Sequence, residues 1–186
     1  LYVKYCSFLL LESDMWRIAS LVVLIILNFP SFADEVHFTG AYSTDQLRGV
    51  RAGYRVTNLP VELPTWIGSP KLHVEAALNH WQDSNNTEDN ITAFTISPIL
   101  SWHIAGAQRP LFLEAGIGGS YFDKTQISNR RLSTQFQFED RISLSWQYNR
   151  SSSARIALGY THYSNADIKR PNDGLDFFWL SWALPF

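Results

Sequence analysis

The chain has 186 residues, a formal net charge of -2, and 46% hydrophobic and 15% aromatic residues, with Trp occurring seven times. A near-neutral balance without a basic run gives no nucleic-acid signal. The only cysteine, Cys6, leaves no disulfide framework and no thiol chemistry for an exported domain.

The only methionine is Met15, so residues 1–14 read as translated upstream sequence. Arg17, the apolar run Ala19 to Leu27 and the small-x-small site Ser31-Phe32-Ala33 then read as a secretory signal over 15–33. A membrane helix is the weaker reading, because this apolar core falls short of the roughly 20 residues needed to span. What remains, 34–186, suits a single domain.

Strand-like segments are predicted over 35–43, 47–57, 71–81, 91–103, 109–121, 132–147, 154–164 and 176–186, separated by turn-rich stretches. Eight is the smallest even number that closes a bacterial membrane barrel. The expectation is therefore an all-β, eight-stranded antiparallel outer-membrane β-barrel in the bacterial outer membrane. The alternation supports it. In the third segment Leu72, Val74, Ala76 and Leu78 oppose Lys71, His73, Glu75 and Asn79. The fourth sets Phe94, Ile96, Leu100 and Trp102 against Thr95, Ser97, Ser101 and His103; the sixth sets Phe136, Phe138, Ile142, Leu144 and Trp146 against Gln135, Gln137, Glu139, Arg141 and Ser143. Such a wall has apolar residues toward lipid and polar residues toward the lumen.

Charged groups on the inner face need partners, so Glu75, Glu114, Glu139 and Arg141 are expected to pair with one another in the lumen. The second segment is the least regular, with Gly49, Gly53, Arg48, Arg51 and Arg55 blurring its pattern. Pro98, inside a strand, and Asp140, on an otherwise lipid-facing row, predict local bulges. The Asn-rich stretch 83–90 reads as a polar loop.

The last two segments carry the chemistry. From Arg155 to Ser164 the even positions are Ile156, Leu158, Tyr160, His162 and Ser164; in 176–186 they are Asp176, Phe178, Leu180, Trp182, Leu184 and Phe186. With both termini on the periplasmic side, the seventh strand ends and the eighth begins near the outer leaflet. His162, Ser164 and Asp176 then point outward together, with the two former roughly 7 Å apart at Cα. A serine hydroxyl needs a base, and a histidine base needs an acid to set its tautomer. Asn165 could donate its side-chain amide to an oxyanion. Asp167 and Asp173 are rivals for the acid, and Lys169 and Arg170 could meet phosphate groups. Taken alone, His-x-Ser is a weak motif, and polar residues also end strands at the headgroup level.

The run His162-Tyr163-Ser164-Asn165-Ala166-Asp167-Ile168-Lys169-Arg170-Pro171-Asn172-Asp173-Gly174 closely resembles the active-site segment of the lipid A 3-O-deacylases (PagL). Pro110-Leu111-Phe112-Leu113-Glu114-Ala115-Gly116-Ile117-Gly118 and Phe138-Glu139-Asp140-Arg141-Ile142 add to the resemblance, which is weak in the first two strands and strong from about 109 onward. It implies hydrolysis of the 3-position ester of lipid A (lipopolysaccharide), with release of a 3-hydroxy fatty acid and without metal or cofactor. It also implies His162 as base, Ser164 as nucleophile and Asn165 as oxyanion donor. Asp176 stands where the family has glutamate. Asp167 stands where the family has a glycine whose backbone amide is part of the oxyanion site.

The implied partners are lipid A, the outer membrane, and the assembly machinery that reads a C-terminal strand ending in Phe186; a homodimer is a candidate assembly. Other readings of the same barrel are a non-enzymatic scaffold and an acyltransferase that would make lipid A heavier.

Overall fold

The computed structural model describes residues 34–57 and 59–186, so the leader expected over 15–33 and the upstream stretch 1–14 lie outside the described residues. The strands are β1 (Asp34–Tyr42), β2 (Leu47–Val56), β3 (Lys71–Asp83), β4 (Asn90–Ala105), β5 (Leu111–Phe122), β6 (Gln126–Ile127), β7 (Arg130–Arg131), β8 (Phe136–Gln147), β9 (Arg155–Ser164) and β10 (Leu175–Pro185). Eight of them close a barrel in the order β1-β10-β9-β8-β5-β4-β3-β2, and β6 and β7 form a separate small hairpin. Every barrel pair is antiparallel, and β1 meets β10 with Phe38 opposite Trp182. The eight expected segments are the barrel strands; the hairpin within 123–135 was not expected, and β8 begins at Phe136 rather than at 132.

Parity decides what faces lipid. Phe38, Val50, Leu78, Phe94, Ile96, Ile117, Ile142, Leu144, Leu158, Phe178, Leu180 and Trp182 are all exposed on the outer wall. Alternate residues point inward and build a buried charge network. Glu75 accepts from Arg51 at 2.6 Å, Arg55 at 2.9 Å and Arg141 at 2.8 Å. Glu139 meets Arg51 at 2.5 Å, and Glu114 meets Arg55 at 3.2 Å and Arg155 at 3.1 Å. Glu35 completes the set with Arg155.

The expected pairing among Glu75, Glu114, Glu139 and Arg141 is therefore only partly right. Arg141 reaches Glu75, whereas Glu114 and Glu139 are partnered by arginines of β2 and β9. Strand β2 looks irregular because Arg48 points outward while Arg51 and Arg55 point inward.

The lumen is not polar throughout. At the end opposite Asp34 and Pro185 it is filled by Leu47, Trp81, Ile91, Ala93, Phe122, Ile127, Leu132, Tyr163, Leu175 and Phe177. Trp81 stacks between Phe122 (5.6 Å) and Phe177 (5.0 Å). A Cβ on Gly49 would lie 2.5 Å from the Trp81 ring and 2.2 Å from the His80 carbonyl oxygen, so only glycine admits the indole there. The hairpin sequence supplies Ile127, and the segment after it supplies Leu132, as the lid of this plug.

The two expected bulges are corrected. Asp140 stays in register, opposite Ile117 on β5 and His162 on β9. Pro98 stays opposite Val74 on β3, and the β4–β5 register is the same on either side of it, with Ile96 opposite Gly119 and Ile99 opposite Gly116. Proline lacks an N–H to give, and here the strand keeps its register without one. The irregularity in β4 falls instead between His103 and Ala105.

Because Glu75 is the shared acceptor of three arginines, Glu75→Ala leaves these buried charges short of a partner. The expected loss is about 3–5 kcal/mol. It would be read as a lower temperature for conversion of the folded, fast-migrating band to the unfolded one in semi-native electrophoresis.

Candidate active site

The outer ends of β9 and β10 hold the residues that the sequence singles out. On β9, Thr161 and Tyr163 are buried in the lumen, so His162 and Ser164 project from the outer wall. Leu175 and Phe177 are buried on β10, so Asp176 projects outward beside them. The ladder sets Asp176 directly opposite His162. Nδ1 of His162 lies 2.7 Å from Oδ1 of Asp176. A carboxylate only accepts, so this contact takes a proton on Nδ1, and in the neutral imidazole Nε2 is then the acceptor nitrogen. The side chains are 35% and 33% exposed, so the pair can be reached from outside the barrel yet is partly covered by protein.

Ser164 lies two residues beyond His162 on the same face, and among the described residues its hydroxyl makes no hydrogen bond. The structure joins the acid to the histidine, and the serine stands beside them on the same face with no hydrogen bond to the ring.

The rival acids are engaged elsewhere. The Asp173 carboxylate accepts the Arg131 backbone N–H at 2.8 Å, and the Asp173 carbonyl accepts from Arg130 at 3.0 Å. Asp167 accepts from Arg170 at 2.8 Å and from Asn172 at 3.4 Å. The Arg170 hydrogen bond, then the Asn172 one, holds the Asp167 carboxyl below its usual value. Both Ala166 and Asp167 adopt left-handed backbone, with φ of 52° and 60°. That conformation suits glycine best, and here Ala166 and Asp167 hold it instead.

Asn165 differs from the sequence-based expectation. Its side-chain amide donates to the Leu132 carbonyl at 2.8 Å and to the Lys169 carbonyl at 2.8 Å, so both hydrogens are committed. Its Oδ1 is buried without a partner among the described residues. Its own backbone N–H donates to Asn172 Oδ1 at 3.1 Å. Asn165 thus ties segment 165–174 to the lid over the plug, helped by Ser133, whose hydroxyl donates to the Pro171 carbonyl at 2.6 Å. The backbone N–H groups of Ala166 and Asp167 make no hydrogen bond among the described residues.

Gly174, with φ of 66°, closes the segment; a Cβ there would come within 2.9 Å of His162 Cε1, so its absence gives the ring its place. Two further outward neighbours were not assigned from the sequence. Asp140 sits opposite His162 on the β8 side, and Tyr160 donates its hydroxyl to Asp176 Oδ1. Parity alone could have placed both beside the histidine, once the strand neighbours were known.

Fold and site together define an outer-membrane β-barrel that carries a histidine–aspartate pair and a serine on its lipid-facing wall. The family model for lipid A 3-O-deacylase (PagL) matches residues 48–185, and the chain belongs to that family. It is 34% identical over 106 residues to the lipid A deacylase PagL of Bordetella bronchiseptica, covering 57% of each chain. It is 29% identical over 111 residues to the lipid A deacylase PagL of Pseudomonas aeruginosa, covering 60% of this chain and 62% of that one. The matches therefore span less than two thirds of the length of these curated relatives.

Among solved structures, the crystal structure of the outer membrane enzyme PagL superposes with a TM-score of 0.71 at 24% identity, covering 82% of this chain and 99% of that one. The Yersinia pestis outer membrane protein Ail superposes with a TM-score of 0.52 at 11% identity, covering 84% of this chain and 100% of that one. These likenesses show the fold.

Asn165→Asp replaces two donors with a carboxylate facing two carbonyl oxygens. The expected outcome is release of segment 165–174 from its anchor, with faster tryptic cleavage after Lys169 in an otherwise folded barrel. Cleavage at the wild-type rate would contradict the anchoring role.

Proposed function

We propose that the chain is a serine esterase of the outer membrane that hydrolyses the 3-O-acyl ester of lipid A. The single observation that carries this reading is the 2.7 Å contact between His162 Nδ1 and Asp176 Oδ1 on the lipid-facing wall, with Ser164 two residues along the same row. A soluble hydrolase would place such a group in a cleft open to water. Here the row opens sideways, where a lipid substrate can diffuse along the membrane to the barrel wall.

In this reading Nε2 of His162 takes the proton of Ser164 as its hydroxyl attacks the ester carbonyl, and Asp176 steadies the imidazolium that results. Collapse of the tetrahedral intermediate passes that proton to the departing 3-hydroxyl of the glucosamine and leaves an acyl-serine. Water, deprotonated by the same nitrogen, then releases the 3-hydroxy fatty acid and restores the serine. The developing oxyanion needs donors that are not already in use. Those of the Asn165 side chain are committed, so the reading assigns the task to the unengaged backbone N–H groups of Ala166 and Asp167. Asn165 then acts by holding the loop that presents them. The Asp167 carboxylate, turned onto Arg170, need not oppose the oxyanion.

Mass spectrometry of lipid A from cells expressing the chain tests the reading. Wild type should remove one 3-hydroxyacyl mass, while Ser164→Ala and His162→Ala should fold, reach the membrane and leave lipid A intact. Unchanged deacylation in both variants would sink the triad, and a gain of one acyl mass would point to acyl transfer.

The two acids flanking His162 separate the roles further. Asp176→Asn should lower turnover by about a hundredfold to ten-thousandfold. Asp140→Asn should stay within about threefold of wild type.

A further inference from the structure

Asp176 does not hold His162 alone. Tyr160 lies on β9 two residues before His162, in the same outward row, and pairs across the ladder with Phe178. It is therefore diagonal to Asp176, within reach for a long side chain. Its ring packs on Phe178 with centroids 5.4 Å apart and planes at 51°. From there the hydroxyl donates to Asp176 Oδ1, the oxygen that also meets His162 Nδ1. The other oxygen, Oδ2, makes no hydrogen bond among the described residues. One carboxylate oxygen is thus clamped between a phenol and an imidazole.

We propose that Tyr160 is a positioning residue for the Asp176–His162 pair, its hydroxyl fixing the carboxylate under Nδ1 of the histidine. This rests on the esterase reading above for its consequence in turnover, though not for the contact itself. The last torsion of an aspartate is broad and two-fold, so a carboxylate with one partner swings easily. A second donor on the same oxygen removes that freedom. In a partly desolvated site such a charge-assisted bond is stronger than it would be in water.

The phenol also draws charge from the carboxylate, so the aspartate stabilises the imidazolium less than it otherwise would. Loss of the hydroxyl should therefore loosen the acid and make His162 easier to protonate. The other charged groups near the pair stay in place: Asp140 opposite His162 on β8, and Arg130, which is held by Asp45 at 2.5 Å.

The experiment compares wild type, Tyr160→Phe and wild type carrying 3-fluorotyrosine, each folded in detergent micelles. The midpoint of His162 protonation is followed by NMR in a Ser164→Ala background, and turnover of lipid A is followed in the parent background. Tyr160→Phe should raise the His162 midpoint, move the acidic limb of the kcat profile upward with it, and lower kcat about ten- to a hundredfold without raising KM. Fluorotyrosine, a stronger donor of the same shape, should move the midpoint the other way; it keeps the test open should Tyr160→Phe not fold.

An unmoved midpoint in a folded Tyr160→Phe protein overturns the proposal, as does a fall in kcat without movement of the limb. A midpoint that moves in a protein inert toward lipid A upholds the clamp and refutes the deacylase reading instead.

Discussion

Inside hydrocarbon no backbone N–H or C=O can be left unpaired, and the closure of β1 on β10 answers that demand for the whole chain. Once the strands are closed, their period of two leaves no choice about direction. Each residue faces either lipid or lumen, and a slip of one position would exchange the faces of an entire strand. The outward row of β9 and β10 is apolar along most of its length and turns polar only at the outer end. The same parity that places Leu158 and Leu180 against lipid therefore places His162, Ser164 and Asp176 there as well.

The inside of the barrel makes that wall rigid enough to hold a site. Arg51, Arg55, Arg141 and Arg155 bind Glu35, Glu75, Glu114 and Glu139 across the lumen. Trp81, Phe122 and Phe177 fill the outer end, and Tyr163 is shared between the two layers. Its ring meets Trp81 edge-on at 5.2 Å, and its hydroxyl donates to Glu139 at 2.7 Å. Tyr163 stands between His162 and Ser164 in the chain. The residue that separates histidine from serine is thereby anchored in the core, and its neighbours on the outer face have little room to drift.

The architecture could be read from alternation because a barrel wall has a period of two and each strand carries it locally. His162, Ser164 and Asp176 could be read as outward for the same reason. What the sequence could not supply was contact between distant segments. The commitment of Asn165 depends on the Leu132 carbonyl, which lies in a different loop. That Asp176 meets His162 while Asp173 receives the Arg131 backbone N–H is likewise a matter of contacts between separate segments. Strand β2 looked irregular because its two inward arginines serve acids on other strands, Glu75, Glu114 and Glu139. Pro98 and Asp140 suggested bulges by local rules, yet the ladder around each continues in register. Tyr160 was visible as an outward aromatic, and only the β9–β10 register shows that it meets the acid.

The central claim is that Ser164 is made nucleophilic by the histidine beside it, on the face of a barrel turned toward lipid. Covalent labelling of the folded wild-type barrel with a fluorophosphonate, followed by peptide mass spectrometry, tests this most directly. The account predicts one adduct, on Ser164, absent in His162→Ala and strongly slowed in Asp176→Asn. An adduct on another residue, or labelling of Ser164 at the same rate without His162, would contradict it.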